Sequence, residues 1–113
     1  MTVATKKLLL DVREAGKSIL QHTTGKTLSE YSADRFFRRA VEREFEIIGE
    51  GLNRIDRLDS ATAGQISELR KIVDFRNRII HGYDTIDDAV VWGIIETHLP
   101  RLVKEVADLL ESA

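Results

Sequence analysis

The chain has no cysteine, a single proline at Pro100 and no apolar stretch near the ~18 residues that a membrane-spanning helix needs. Without cysteine there is no disulfide and no thiolate-bound zinc, and nothing asks for an oxidising compartment, so a cytoplasmic location is expected. The opening residues Met1–Lys7 lack the basic stretch, long apolar run and small-residue cleavage site of a signal peptide, so neither export nor membrane attachment is expected. One proline, seven glycines and 6% aromatic residues supply too few turns for an all-β sandwich, which needs one about every 8–12 residues. An excess of one charge is missing too. Seventeen Lys and Arg against 19 Asp and Glu leave a net charge of −2, so the molecule offers nucleic acid no general attraction.

What is there is 42% hydrophobic and 32% charged side chains over 113 residues, the composition of one soluble globular domain spanning 1–113. Apolar spacing predicts helix throughout. The first segment runs from about Thr5 to Gln21, with Leu8, Val12, Ala15 and Ile19 on one stripe, and ends before a turn at Gly25. A second, from about Ala33 to Leu58, carries Phe37, Val41, Phe45, Ile48, Leu52 and Ile55. Its wide apolar face asks for two helical neighbours, or for one helix and a second protomer. A third runs from about Gln65 to His81 and stops at Gly82. The fourth starts at Asp84 and Thr85, where Thr85-Ile86-Asp87-Asp88 has the form of a capping box, and Pro100 should kink or break it near Leu99. The predicted fold class is therefore all-α, an antiparallel up-and-down bundle of four to five helices.

One residue breaks the pattern. On the wheel of the third segment, Ile66, Leu69, Ile72, Val73, Phe75, Ile79 and Ile80 fill half the circumference, and Arg76 sits at its centre. A charge in such a place must be paired internally or face a polar cleft. Glu44, near the centre of the second helix's stripe, is the candidate internal partner. His81 lies about 140° from Arg76 on an ideal helix, so the wheel alone does not bring the two together. For His81 the plain structural alternative is a cation at a helix carboxy terminus, and for Tyr83 a wedge with its hydroxyl at the surface. His22 and His98 receive no role. Eleven of the 17 basic residues are arginine, and many fall in two runs, Arg35/Arg38/Arg39/Arg43 and Arg70/Lys71/Arg76/Arg78. Their forks suit phosphate, although solvated helix faces balanced by Glu42, Glu44, Glu46 and Asp74 explain the same charges.

The string Arg76-Asn77-Arg78-Ile79-Ile80-His81-Gly82-Tyr83 reads R-x-x-x-x-H-x-Y and resembles the signature of HEPN domains. Together with Ala40-Val41-Glu42-Arg43, Ile47-Ile48-Gly49-Glu50, Tyr83-Asp84, Val91-Trp92 and Leu99-Pro100, it extends the resemblance over nearly the whole chain, to the HepT-like toxins encoded beside a small nucleotidyltransferase antitoxin, MntA. One departure is Gly51, where relatives usually carry alanine; it softens the second helix. The resemblance implies an all-α homodimer and a metal-independent endoribonuclease, a toxin acting on tRNA or mRNA, with Arg76 and His81 catalytic at a shared cleft and Asn77 and Tyr83 in support. It also implies that an MntA-like antitoxin silences the toxin by transferring AMP to Tyr83. Arg35, Arg39, Arg43 and Arg78 are candidate RNA contacts. No metal and no cofactor of this chain's own is called for. From another functional class, the same residues fit a non-catalytic helical partner of a nucleotidyltransferase that binds or orients its nucleotide.

Overall fold

The computed structural model describes residues 1–82 and 86–113; Tyr83, Asp84 and Thr85 lie outside them. Among the described residues the secondary structure is entirely helical, in seven elements: α1 (Val3–Thr23), α2 (Leu28–Ala33), α3 (Arg35–Leu58), α4 (Ser60–Ala63), α5 (Leu69–His81), α6 (Asp88–Thr97) and α7 (Leu99–Glu111). Each break has a local cause. The Thr2 hydroxyl accepts from the Thr5 amide to start α1, and Gly25 turns the chain after it with φ 77°, a left-handed conformation that favours glycine. Thr27 and Glu30 close a reciprocal capping box at α2. Asp34 accepts from the Phe37 amide to start α3, and Asp59 caps α4 in the same way through Thr62.

Of the kink or break expected near Leu99, the structure has the break. α6 ends at Thr97, His98 links the two helices, and Pro100 falls in the first turn of α7, where its missing donor costs nothing. The third segment begins later than expected, at Leu69, because Gln65–Glu68 forms turns. α6 is capped by Asp87, which accepts from the Ala89 amide; the predicted capping box on Thr85 lies outside the described residues.

Two contacts at successive levels, Asp56 with Arg70 and Gly49 with Arg76, show that α3 and α5 run antiparallel, and Phe45 packs edge-on against Phe75 between them. α1 lies antiparallel along the other side of α3, with Val12 against Gly51, and also packs on α7. A β-carbon at Gly51 would stand 2.7 Å from Val12 Cγ2, so the residue that departs from alanine is one at which α1 packs close against α3. The core between them holds Leu9, Val12, Ile19, Phe45, Ile48, Leu52, Ile55, Ile72, Leu99 and Leu102. Tyr31 of α2 joins it between Phe37 and Trp92, and burial pushes its phenol well above the usual range. Among the described residues no helix is long and apolar enough to cross a membrane.

Candidate functional site

Arg76 sits on the seam between α5 and α3, and its place depends on Gly49. A β-carbon at position 49 would stand 2.3 Å from Arg76 Cγ and 2.4 Å from its Cβ, so the aliphatic stem of the arginine occupies the space that a side chain there would need. The guanidinium then emerges beside the next residue along α3. Its Nη2 donates to Glu50 Oε2 at 2.8 Å, its Nη1 donates to Asn77 Oδ1 at 3.0 Å, and its Nε is buried without a partner. Glu50 also meets Arg54 Nε at 3.4 Å.

The acidic partner of Arg76 is therefore Glu50, and the expectation that Glu44 would take this role is corrected. The register set at Gly49 decides it. Glu44 is five residues earlier, about 7.5 Å along the helix axis, and lines the opposite seam with Ser18 and His22 of α1. Nor is the pair sealed. Arg76 is 16% exposed and Glu50 48%, and both line an open cavity of about 320 Å³. Leu8 and Asp11 of α1 form one wall, Arg43, Glu46, Ile47 and Arg54 of α3 the floor, and Ile80 of α5 the other wall. Arg43, Arg54 and Arg76 are matched by Asp11, Glu46 and Glu50, so the cavity is polar but close to neutral.

The structure does not gather all the predicted site residues within one chain. α5 continues as regular helix to His81, which is exposed, and the cavity takes Ile80 but not His81 from that end. Asn77 engages Arg76 through its side-chain oxygen, so in this arrangement that oxygen serves the arginine rather than the imidazole. Of the four candidate RNA contacts only Arg43 lines the cavity; Arg39 pairs with Glu42 at 3.1 Å, while Arg35 and Arg78 are exposed on their helices. Tyr83 lies outside the described residues. Among the described residues no group of three or more histidine or acidic side chains is placed to hold a metal ion.

Sequence reasoning passed over Gly49, Glu50 and Arg54 as parts of this site. The Gly49-Glu50 step carried a usable signal, since a small residue next to an acid on a buried face suits a close-packed arginine, but only the α3–α5 register shows which arginine.

This site lies on a chain with clear relatives. The profile of a family described as ribonuclease HepT-like matches residues 12–109. A protein of Methanocaldococcus jannaschii described as a candidate RNase is 31% identical over 101 residues, which cover 89% of this chain and 92% of the relative. A second candidate RNase of that organism is 26% identical over 94% of this chain and 87% of its own length. A Thermococcus cleftensis protein described as a probable ribonuclease HepT is 29% identical over 86% of this chain and 87% of its own. No solved structure matches the chain at a significant level. The profile spans most of the chain and a relative 31% identical is covered almost end to end, so the chain belongs to the HepT-like ribonuclease family.

Proposed function

We propose that this protein is the toxin of a toxin–antitoxin pair, an endoribonuclease that cuts RNA without a metal ion at a cleft shared by two copies. The observation that carries the proposal is Arg76. A guanidinium lodged in an apolar seam, held at a fixed angle by Glu50 and Asn77, lines an open cavity with N–H donors to spare. A phosphate bound there would meet a planar donor fork that is already oriented.

Cleavage through the ribose 2′-hydroxyl needs a base to take its proton, an acid for the leaving 5′-oxygen and positive charge on the pentacovalent phosphorus. Arg76 supplies the charge. His81 supplies acid or base, since imidazole exchanges protons near neutral pH. One chain has one such histidine, and it projects about 140° away from Arg76 around α5. A two-fold partner answers both deficits, because it brings a second His81 toward the first Arg76 and the reverse. The exposed side of α3 suits that role. Phe36, Ala40 and Arg43 are exposed along one face, where Phe36 is 89% exposed, and the half-buried Ile47 continues it. Arg43 is then the most favourably placed of the candidate RNA contacts.

Transfer of AMP to Tyr83 by an MntA-like nucleotidyltransferase would set an anionic, bulky group two residues beyond His81 and block the phosphate position by charge and volume. The test is direct. The purified protein incubated with tRNA and with mRNA in EDTA should cleave, His81→Ala and Arg76→Ala should each remove the activity, and mixed dimers of the two variants, which hold a single His81, should stay inactive. Absence of cleavage of either RNA by the unmodified dimer would leave the partner-module reading in its place.

A further inference from the structure

Beyond the Arg76 cavity, α1 and α3 enclose a second one of about 450 Å³, lined by Ala4, Lys7 and Leu8 of α1 and Arg54, Arg57 and Leu58 of α3. Leu8 and Arg54 line both cavities, so the two are neighbours along α3. Their charge differs sharply. With the shared Arg54 counted once, the two cavities hold five cations and three carboxylates, and the excess, Lys7 and Arg57, lies in the second, whose lining has no carboxylate. We infer that this second cavity is a binding site for the sugar-phosphate strand of RNA extending away from the Arg76 cleft, with Lys7, Arg54 and Arg57 taking phosphates and Leu58 supporting a base. The inference rests on the ribonuclease reading for the identity of the strand, though not for the site itself.

The chemistry fits a polynucleotide on two counts. Leu58 is 64% exposed, an aliphatic surface at the floor of a cationic rim, and a base lying on it would cover apolar area while its phosphates stay at the rim. The existing partners of the cations are replaceable. Lys7 meets Asp11 at 2.8 Å and Arg54 meets Glu50 at 3.4 Å, both pairs solvent-exposed and therefore weak competitors, and Arg57 has no ion pair among the described residues. Span matters as well. Arg57 lies eight residues beyond Gly49, which is about 12 Å along α3, so a ligand held at both points is longer than one nucleotide. The second cavity thus adds a net positive charge to the single oriented donor fork of the near-neutral first cavity.

Fluorescence anisotropy of a labelled, single-stranded 2′-O-methyl RNA, which the proposed chemistry cannot cut, tests the site across a series of salt concentrations. The double variant Lys7→Gln/Arg57→Gln should bind about tenfold more weakly, and its log K against log salt should flatten by about 1.4, the value for two lost single-strand phosphate contacts. Arg57→Lys should restore most of its share. Lys104→Gln, which removes an exposed cation from α7, should leave both quantities at the wild-type value. An unchanged slope and affinity in the double variant overturns the inference. So does a double variant that keeps RNA binding but loses binding to phosphatidylglycerol vesicles, since the patch would then be a lipid contact. Cleavage by the wild type in EDTA combined with an unchanged slope sinks this site alone. A flattened slope in a protein that never cleaves keeps the site and sinks the ribonuclease reading.

Discussion

Two places in the molecule set a charged side chain between helices, and they are finished in opposite ways. At the α4–α5 turn, Glu68 is only 8% exposed; His98 Nδ1 lies 2.7 Å from its Oε2 and Arg101 Nη1 3.4 Å from its Oε1. Beside it Glu105 accepts the Ser67 amide at 3.2 Å, so the turn is stitched to α7 twice. At the α3–α5 seam the buried group is the cation, and its acidic partner Glu50 stands half in solvent at the edge of a cavity. The first arrangement engages both oxygens of Glu68 with partners from its own chain, while Glu105 Oε1 beside it is buried without one. The second holds a guanidinium by its stem and leaves part of its donor capacity open. A charge completed internally serves the fold, whereas one anchored but incompletely satisfied is available to a ligand.

The largest effect should come from Gly49→Ala. The atoms in its way are the Cβ and Cγ of Arg76, which cannot swing aside without moving α5, so α3 and α5 must part, at a cost of about 1–3 kcal/mol in urea denaturation. RNA cleavage should fall with it. Unaltered stability would mean that the arginine stem is not held as described, and the contrast with Glu68 would lose its basis.

Glu68→Gln comes next, because it removes the charge that His98 and Arg101 share while keeping the shape. A loss of about 1–2 kcal/mol is expected, with cleavage per folded molecule unchanged. Glu50→Gln should show the reverse profile. Its pairs are exposed, so unfolding should shift by less than about 1 kcal/mol, but the guanidinium loses its fixed angle and kcat should drop. The comparison breaks if Glu50→Gln costs more stability than Glu68→Gln.

How far this was legible in the sequence follows the range of each interaction. The stripes of α1, α3 and α5 and the break at Pro100 are local, and their periodicity and backbone chemistry state them outright. α2 was also written locally, in Thr27-Leu28-Ser29-Glu30, but six residues are too few for a periodic signal, and Tyr31 gives little hint that it is core. That Arg76 is exceptional follows from one wheel. Its partner does not, since a choice between Glu44 and Glu50 is a choice of register between two helices, and register depends on the glycine that lets them touch. The Glu68 cluster was invisible for a stronger reason: its members come from a turn and from a helix start thirty residues away.

The smallest effect should separate Glu68 from a neighbour that resembles it. Asp59, at the start of the same connection, accepts from the Thr62 hydroxyl at 2.7 Å and the Thr62 amide at 3.1 Å, and these bonds hold its carboxyl below the usual value of 3.8. A carboxylate lowered in the folded state contributes stability that is present above its unfolded pKa and lost as pH falls through the folded one. Asp59→Asn should therefore trail the wild type at about pH 6, and the gap should close toward pH 3 as the wild-type carboxyl takes up its proton. The carboxylate is only half-buried and its partners are three residues away in the same turn, so the gap should be the least of the four and should show as a small difference in urea midpoint. A gap that stays constant with pH would place the contribution of Asp59 in its shape as a helix cap rather than in its charge.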